Sequence, residues 1–384
     1  MDIKPYKIST DETILDDLKM RLKNTRWPGP VEGIGWEYGA DYAFLKRLCG
    51  YWLNEYDWRK WEAKLNEFPQ FTAEADGVEI HFWYIKAKKE EKAFPVMMLH
   101  GWPGSAFEFY DTIELITDPA AHGGNAEDAM DMIIPDLPGY GWSGKPKVPG
   151  WGADRVARAL NALMTEGLGY EKYGVQGGDW GGMIAARLGT DFPETVAWIH
   201  LNFTILPIPM IDELSEEDMK VVRRHEEFDR LEGAYHLIQE TKTDCVTLAQ
   251  TDSPMGLAAW IVEKFKVWSD CDGDPLNSYT MDQLITNLMF YWVPDSVVSA
   301  ARLYFESFRD PALNWGAPDP HIPVPTAVAR FPKDPFHRPR GWMEKHFNIV
   351  RWTEMPRGGH FAAMEEPELL VKDLQEFYRS IRSE

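Results

Sequence analysis

The residues best placed for chemistry in this sequence follow the pattern Gly177-x-Asp179-x-Gly181. An apolar run, residues 173–175, precedes the pattern, and a helix-forming run, residues 183–188, follows it. A strand that turns sharply into a helix exposes the central side chain at the end of a sheet, and flanking glycines let the backbone pass without a clashing Cβ. The first amides of the helix favour negative charge there. The pattern therefore predicts that Asp179 is a nucleophile; the alternative is an aspartate that only caps the helix.

A carboxylate at the centre of such a turn supports a different chemistry from a serine. A serine alkoxide attacks an acyl carbon, whereas a carboxylate is a weaker base that is ionised at neutral pH without help. It is suited to displacement at a saturated carbon, which leaves an alkyl ester on the enzyme. Asp179 therefore favours the opening of an epoxide or the removal of a halide, and it argues against an esterase, a lipase or a peptidase.

A histidine and a second carboxylate complete a candidate triad. His360 lies in a glycine-rich loop, residues 357–361, between the last predicted strand and the last predicted helix. In folds with this turn, the order along the chain is nucleophile, acid, histidine. Asp334 is the best-placed carboxylate after the predicted strand 324–329, so we expect it to orient the His360 ring and stabilise the imidazolium. The alternatives are a structural histidine and an exposed aspartate in a turn.

A second glycine-rich turn, His100–Ser105, follows an earlier predicted strand and opens a helix. This is the position of the second oxyanion donor in folds with such a nucleophile turn, so we expect the amides of Trp102 and Trp180 to form an oxyanion hole. The bond between Trp102 and Pro103 is a candidate cis peptide. The alternative is an ordinary strand-to-helix turn. We interpret the next loop, residues 136–143, as structural.

Strands and helices alternate around these groups, which predicts an α/β fold with a mostly parallel central sheet. A hairpin is expected first, because Asp76-Gly77 is a typical two-residue turn between two alternating runs. The predicted strands are 71–75, 78–84, 95–99, 131–137, 172–176, 197–201, 324–329 and 349–355, and the chain ends in a helix over 367–381.

Two regions depart from this alternation. The first 70 residues are predicted to form an extension with three helices. The first helix follows a capping box at 9–12, and the other two cover 41–55 and 58–65. Residues 204–314 are nearly all helical in pattern, which is typical of a cap over an active site. The predicted helices of the cap are 215–231, 257–268, 281–291 and 296–308. The expected organisation is an extension (1–70), a first part of the core (71–203), a cap (204–315) and a second part of the core (316–384).

The composition restricts the function classes. The 384 residues include 40 Lys and Arg against 61 Asp and Glu, which gives a net charge of −21. This charge disfavours nucleic acids and anionic membrane surfaces as partners. It is compatible with a soluble enzyme that acts on small neutral or apolar substrates. The sequence leaves open whether the chain acts alone or as a homodimer.

The chain offers no sign of a disulfide framework, a membrane anchor or a metal site. Its three cysteines are an odd number far apart in sequence, which favours a reducing compartment. The N-terminus has no apolar signal core and no run is long enough to span a membrane, so we expect a cytoplasmic protein. Residues 270–274 hint at a calcium loop but have glycine in the fourth place and no glutamate in the twelfth. We therefore expect neither a metal nor a cofactor.

Several motifs taken together resemble the microsomal-type epoxide hydrolases, in particular their soluble microbial and fungal members, over nearly the whole chain. They are Thr25-Arg26-Trp27-Pro28, Trp58-Arg59 through Phe68-Pro69-Gln70-Phe71, His100–Ser105, Gln176–Asp179, Asp252-Ser253-Pro254, Ala258–Ile261, Arg357–Ala363 and Glu366-Pro367.

This resemblance implies the α/β-hydrolase fold and an activity. Epoxides are hydrolysed to vicinal diols through a hydroxyalkyl ester on Asp179, which water activated by His360 and Asp334 then hydrolyses. Two cap tyrosines hold the epoxide oxygen in that family, and the matching positions are Tyr235 and Tyr304. The mammalian members have glutamate where Asp334 stands. The resemblance also implies a small apolar epoxide and water as substrates, no cofactor, and a role in detoxification or in the catabolism of aromatic hydrocarbons.

Two other functions share part of this pattern. A haloalkane dehalogenase shares the fold and the aspartate nucleophile, but it commonly has asparagine where Trp102 stands here, and it lacks the tyrosine pair. A ligand-binding protein on a hydrolase scaffold is the second alternative, since a fold does not fix a function. Such proteins usually lack a member of the triad, whereas all three members are present here.

Overall fold

The computed structural model describes residues 1–29, 31–89, 92–203, 214–310 and 321–382. They contain one nine-stranded sheet with the strand order β1-β2-β3-β5-β4-β6-β7-β8-β9. The first three pairs of neighbours are antiparallel and the remaining five are parallel, as expected for a mostly parallel sheet. The strands are β1 (Ile3–Tyr6), β2 (Gln70–Ala75), β3 (Val78–Ile85), β4 (Phe94–Leu99), β5 (Met130–Pro135), β6 (Tyr173–Gly177), β7 (Val196–Leu201), β8 (Ile322–Arg330) and β9 (Phe347–Glu354).

The central strands are buried on both faces, because every residue of β5 and β6 and all but the first residue of β4 are buried, and most of these side chains are apolar. The helices of the core are α4 (Ile113–Thr117), α5 (Ala153–Ala162), α6 (Asp179–Asp191), α12 (Arg340–His346), α13 (Ala362–Glu365) and α14 (Pro367–Arg382).

The predicted strands and the hairpin are confirmed. Asp76 and Gly77 both have positive φ, 51° and 78°, as a tight hairpin turn of this type requires. Two details differ. The strand β5 ends at Pro135 instead of residue 137, and β1 was not predicted, because four residues at the edge of a sheet carry almost no periodic signal.

The N-terminal region contains α1 (Glu12–Lys23), α2 (Tyr42–Asn54) and α3 (Trp58–Leu65) as predicted. The predicted capping box at 9–12 is wrong. Asp11 itself is the N-cap of α1, and its carboxylate accepts a hydrogen bond from the Thr13 amide at 2.9 Å. This contact satisfies a free amide of the first turn, and it makes Glu12 the first residue of the helix instead of the third, where a capping box needs it.

Between β7 and β8 the described residues form five helices and no strand. They are α7 (Glu216–Glu232), α8 (Ala234–Asp252), α9 (Pro254–Trp268), α10 (Met281–Trp292) and α11 (Val297–Ser307). Four of these were predicted; α8 was not, and it is kinked at Lys242. The expected ends of the cap, residues 204 and 315, lie outside the described residues.

The N-terminal helices contact the helical insertion through Asp282 of α10. This carboxylate accepts a hydrogen bond from the Tyr51 hydroxyl of α2 at 2.8 Å and from the Trp61 indole of α3 at 3.0 Å. Among the described residues, no helix is both long and apolar enough to cross a membrane.

A buried carboxylate joins the C-terminal helix to the sheet. Asp373 of α14 is 3% exposed and lies 3.0 Å from His200 Nε2 of β7. It also accepts hydrogen bonds from Arg351 and Thr353 of β9, at 2.5 and 2.7 Å. Burial opposes the charged form, but the hydrogen bond and charge of His200, with the hydrogen bonds from Arg351 and Thr353, outweigh burial and hold the pKa of Asp373 far below its ordinary value.

We predict that Asp373→Asn lowers the free energy of unfolding by about 3 kcal/mol, because the substitution removes a buried charged acceptor of bonds from His200, Arg351 and Thr353. A depressed carboxyl pKa stabilises the fold above the unfolded-state pKa, near 4, and this contribution disappears as the pH falls through the folded value. The difference between wild type and variant, measured by denaturant unfolding, should therefore shrink below about pH 4. The control is Asp244→Asn, which breaks an exposed ion pair with Arg302 and should change stability by less than about 1 kcal/mol. Equal stability of wild type and the Asp373 variant at neutral pH would contradict this role.

Candidate active site

The nucleophile turn has the strained backbone that its pattern predicts. Asp179 follows β6, begins α6 and has φ of 49°, in the left-handed region that non-glycine residues rarely adopt. The turn packs closely on β4, because a Cβ on Gly181 would lie 2.0 Å from the carbonyl oxygen of Leu99. Only glycine fits there. Asp179 is 8% exposed, so its carboxylate lies inside the protein.

The amide of Trp102 faces this carboxylate. It donates a hydrogen bond to Asp179 Oδ1 at 2.8 Å, and the Trp102–Pro103 peptide is cis, as predicted. A Cβ on Gly101 would lie 2.1 Å from the same oxygen, so the turn also needs glycine to let the carboxylate approach. Trp180 lies in the first turn of α6, where amides have no helical acceptor.

Helix α10 of the insertion fixes the shape of this second turn. The Asn287 side chain donates to the Pro103 carbonyl and accepts from the Ser105 hydroxyl, both at 2.8 Å. The Tyr291 hydroxyl donates to the Gly104 carbonyl at 2.5 Å. The same helix therefore contacts both the N-terminal extension and the turn that carries Trp102.

The structure brings His360 and Asp334 to Asp179. His360 Nε2 lies 3.5 Å from Asp179 Oδ2, and His360 Nδ1 lies 3.4 Å from Asp334 Oδ2. Both distances are long for a direct hydrogen bond and too short for an intervening water. Asp334 is 1% exposed, so it is not the exposed turn residue that the sequence left open.

The charges of this trio depend on one another. Burial opposes a charged imidazole, but the charge of Asp334 and the close approach of the Asp179 and Asp334 carboxylates outweigh burial and raise the pKa of His360 to about 10. Burial likewise opposes the Asp334 carboxylate, and the charge of His360 more than offsets it, which lowers the pKa of Asp334. At neutral pH the site therefore holds an imidazolium between two carboxylates.

Aromatic rings and one loop of the insertion hold the histidine. The rings of Phe203, Trp268 and Phe336 lie 5.0 to 5.3 Å from the His360 ring, centroid to centroid. The His360 amide donates to the Trp268 carbonyl at 2.8 Å.

The loop after α9 supports the same segment and explains residues that resembled a calcium loop. Asp270 Oδ2 accepts a hydrogen bond from the Gly358 amide at 3.0 Å, and the Asp270 amide donates to Glu365 at 2.7 Å. Asp270 thus contacts the loop that carries His360. In the part of the chain that the structure describes, no group of three or more His, Cys, Asp or Glu could hold a metal ion.

The two tyrosines of the insertion lie over the nucleophile turn. The ring of Tyr304 (α11) lies 4.7 Å from the Trp180 ring, and the ring of Tyr235 (α8) stacks on Trp102 at 5.3 Å. The two phenol rings are 6.2 Å apart and nearly perpendicular. Burial, together with the charge of Asp179, raises the pKa of both phenols well above the ordinary value. Both therefore remain protonated hydrogen-bond donors.

A cavity of about 170 Å³ opens between these groups. Its walls are mostly aromatic, and they include four polar side chains that the sequence did not indicate: His225, Asp229, His236 and Arg338. Its lining residues are Asp179, Trp180, Phe203, His225, Asp229, Tyr235, His236, Tyr304, Phe308, Phe336 and Arg338.

A further carboxyl near the trio, on the half-buried Glu108, was also missed. Glu108 lies close to Gly104, where a Cβ would meet its Oε1 at 1.5 Å. Burial, which outweighs the opposing charge of His360, raises the pKa of Glu108 to about 8. A glutamate four residues after Gly104, on the helical turn that follows it, was the signal that could have found it.

By contrast, Asp136 bonds within its own loop and to His81 of β3, as a structural residue would.

Comparisons with known proteins agree with this geometry. A family described as "Epoxide hydrolase N terminus" matches residues 3–109, and one described as "alpha/beta hydrolase fold" matches residues 95–367. Epoxide hydrolase 1 of Oryctolagus cuniculus is 35% identical over 98% of this chain and 88% of its own length.

Two solved structures are similar over almost their whole length. Juvenile hormone epoxide hydrolase from the silkworm Bombyx mori superposes with a TM-score of 0.92 at 33% identity, covering 100% of this chain and 95% of that one. The Aspergillus niger epoxide hydrolase superposes with a TM-score of 0.86 at 31% identity, covering 99% and 97%. The chain therefore belongs to the microsomal-type epoxide hydrolases, has the α/β-hydrolase fold, and is an epoxide hydrolase.

Proposed function

We propose that the protein hydrolyses small apolar epoxides to vicinal diols through a covalent hydroxyalkyl ester on Asp179. The observation that carries this proposal is the position of the Asp179 carboxylate, with Oδ1 on the Trp102 amide and Oδ2 toward His360. An amide at Oδ1 is placed to stabilise the oxyanion that forms when the carbonyl of an Asp179 ester is attacked. The small aromatic cavity supports an apolar substrate.

In the first step, Asp179 attacks one epoxide carbon and the bond from that carbon to the ring oxygen breaks. The ring oxygen receives the electron pair and takes a proton from Tyr235 or Tyr304. A phenol is a suitable acid because an epoxide oxygen accepts a hydrogen bond weakly until charge develops on it. The raised phenol pKa values support protonated donors throughout the usable pH range.

In the second step, His360 removes a proton from water, which attacks the ester carbonyl. Alkylation makes this possible, because it converts the Asp179 charge into a neutral ester and so removes part of what holds the proton on His360. The proton that leaves His360 after alkylation restores the phenol that protonated the ring oxygen. Asp334 stabilises the imidazolium that forms, and the amides of Trp102 and Trp180 stabilise the oxyanion. The bond between the Asp179 carbonyl carbon and the ester oxygen then breaks, and this oxygen takes the proton from His360 and leaves as the second hydroxyl of the diol. The proton of the new Asp179 carboxyl group returns to His360, which restores the carboxylate and the imidazolium.

A single turnover in ¹⁸O-water, with enzyme in excess, tests the covalent step. We expect a largely unlabelled diol and one ¹⁸O in the peptide that contains Asp179, because the new diol oxygen comes from the carboxylate. Many turnovers in the same water should label the diol and serve as the control. If the label is found only in the first-turnover diol, Asp179 acts at most as a general base.

We predict that Tyr235→Phe or Tyr304→Phe alone slows ester formation by roughly tenfold, since the second phenol still donates. The double variant should lose roughly a thousandfold or more, because groups that act as a unit are not additive. The rate is measured by rapid quench and intact mass. Tyr173→Phe on β6, whose hydroxyl donates to Asn161, is the matched control and should not change this rate. Ester formation at the wild-type rate in the double variant would refute the assignment of both phenols.

The proton on His360 can be followed directly. We predict that Asp179→Asn lowers the pKa of His360 from its value of about 10, because the substitution removes a negative charge that favours the imidazolium. The proton affinity should fall by about tenfold or more, measured by NMR titration of labelled histidine. Asp295→Asn, an exposed change, should leave the titration unchanged. An unaltered His360 titration in the Asp179 variant would show that alkylation does not release the base.

A further inference from the structure

A buried ion pair lies next to one of the two phenols and has no place in the mechanism above. Lys264 and Glu263 of α9 have side chains only 7% and 11% exposed, and Lys264 Nζ lies 2.5 Å from Glu263 Oε2. The ammonium lies over the Tyr235 ring, 4.8 Å from its centroid, and 5.9 Å from the centroid of Trp268.

Stability gives little reason for charges at this position. Removing an ammonium and a carboxylate from water costs several kcal/mol each, and well-packed apolar residues in place of a buried ion pair are often neutral or stabilising. The helix α9 is otherwise strongly apolar on its buried side. A function that uses the charge is therefore the better explanation for this lysine.

Three carboxylate side chains act on the phenol oxygen of Tyr235. The charges of Asp179, Asp229 and Glu263 all disfavour negative charge on its oxygen. A hydrogen bond with Tyr304 acts in the opposite direction. The His236 ring stands edge-on at 5.5 Å, with its Nε2 2.7 Å from Asp229. The ammonium of Lys264 is the cation that lies over the ring itself.

We propose that Lys264, held by Glu263, is a positioning residue for ring opening that strengthens Tyr235 as a hydrogen-bond donor. A cation over the face of a phenol is attracted to the ring electrons, and this attraction grows as negative charge collects on the oxygen. The inference rests on the proposed function, in which the phenol proton moves to the ring oxygen as the carbon–oxygen bond breaks. The charge left on the phenol oxygen is the charge that the ammonium stabilises.

The test is a double-mutant cycle on ester formation. Enzyme in excess is mixed with styrene oxide, quenched at short times, and the Asp179 ester is measured by intact mass. We expect Lys264→Met to slow ester formation by roughly 3- to 30-fold, with no change in the later hydrolysis of the ester. Lys264→Arg should restore most of the rate, because it keeps the charge.

The decisive comparison is made in a Tyr235→Phe background, where the ring and its packing remain but the donor is gone. There, Lys264→Met should cause no further loss, since there is no phenol to assist. A packing role for Lys264 would instead give the same loss in both backgrounds. Lys266→Met, the same change at a half-buried position of α9, is the matched control and should have no effect.

Each outcome separates the two proposals. The role of Lys264 is refuted if Lys264→Met forms the ester as fast as wild type. It is also refuted if Lys264→Met slows ester formation equally in the Tyr235→Phe background. In both cases the covalent mechanism itself stands. If wild type turns over styrene oxide with no ester at any time, the covalent mechanism fails first. Should Lys264→Met not fold, Lys264→Gln, which is polar and of similar length, gives the same comparison.

Discussion

The proposed mechanism depends on keeping the Asp179 carboxylate charged where almost no bulk water reaches it. A buried carboxylate without partners would take up a proton and lose its ability to attack carbon. Here the Trp102 amide, the imidazolium of His360 and the first turn of α6 provide the solvation that water would otherwise give. The left-handed backbone of Asp179 and the glycines around it bring these partners within reach.

The same burial sets opposite conditions for the acid and the base. Burial and the neighbouring carboxylate keep the phenols of Tyr235 and Tyr304 protonated, which suits donors to the ring oxygen. The imidazole of His360 is protonated for the opposite reason, since two carboxylates outweigh burial. In the proposed cycle, one covalent event changes this balance, because the charge that holds the proton on His360 is consumed in forming the ester.

Much of this arrangement could be predicted from the sequence because local pattern determines it. Asp179 and His360 stand in turns whose glycines and order along the chain are specific. The roles of the tyrosines came only from the resemblance, because a tyrosine on a helix has the same local pattern whether it packs or reacts. Lys264 gave no local signal, since its importance comes from Tyr235, which is far away in sequence. Helix α8 was missed because its four threonines form helices weakly and it kinks at Lys242.

The hydrogen bond between Asp270 and the Gly358 amide has a consequence for protein engineering. The insertion cannot be exchanged independently of the core. One of its loops supports the segment that carries His360, and α10 shapes the turn that carries Trp102. A chimera that takes its insertion from a relative must therefore keep residues that can make these two contacts. Libraries that vary the cavity walls while leaving Asp270 and Asn287 intact would alter substrate choice with less damage to turnover.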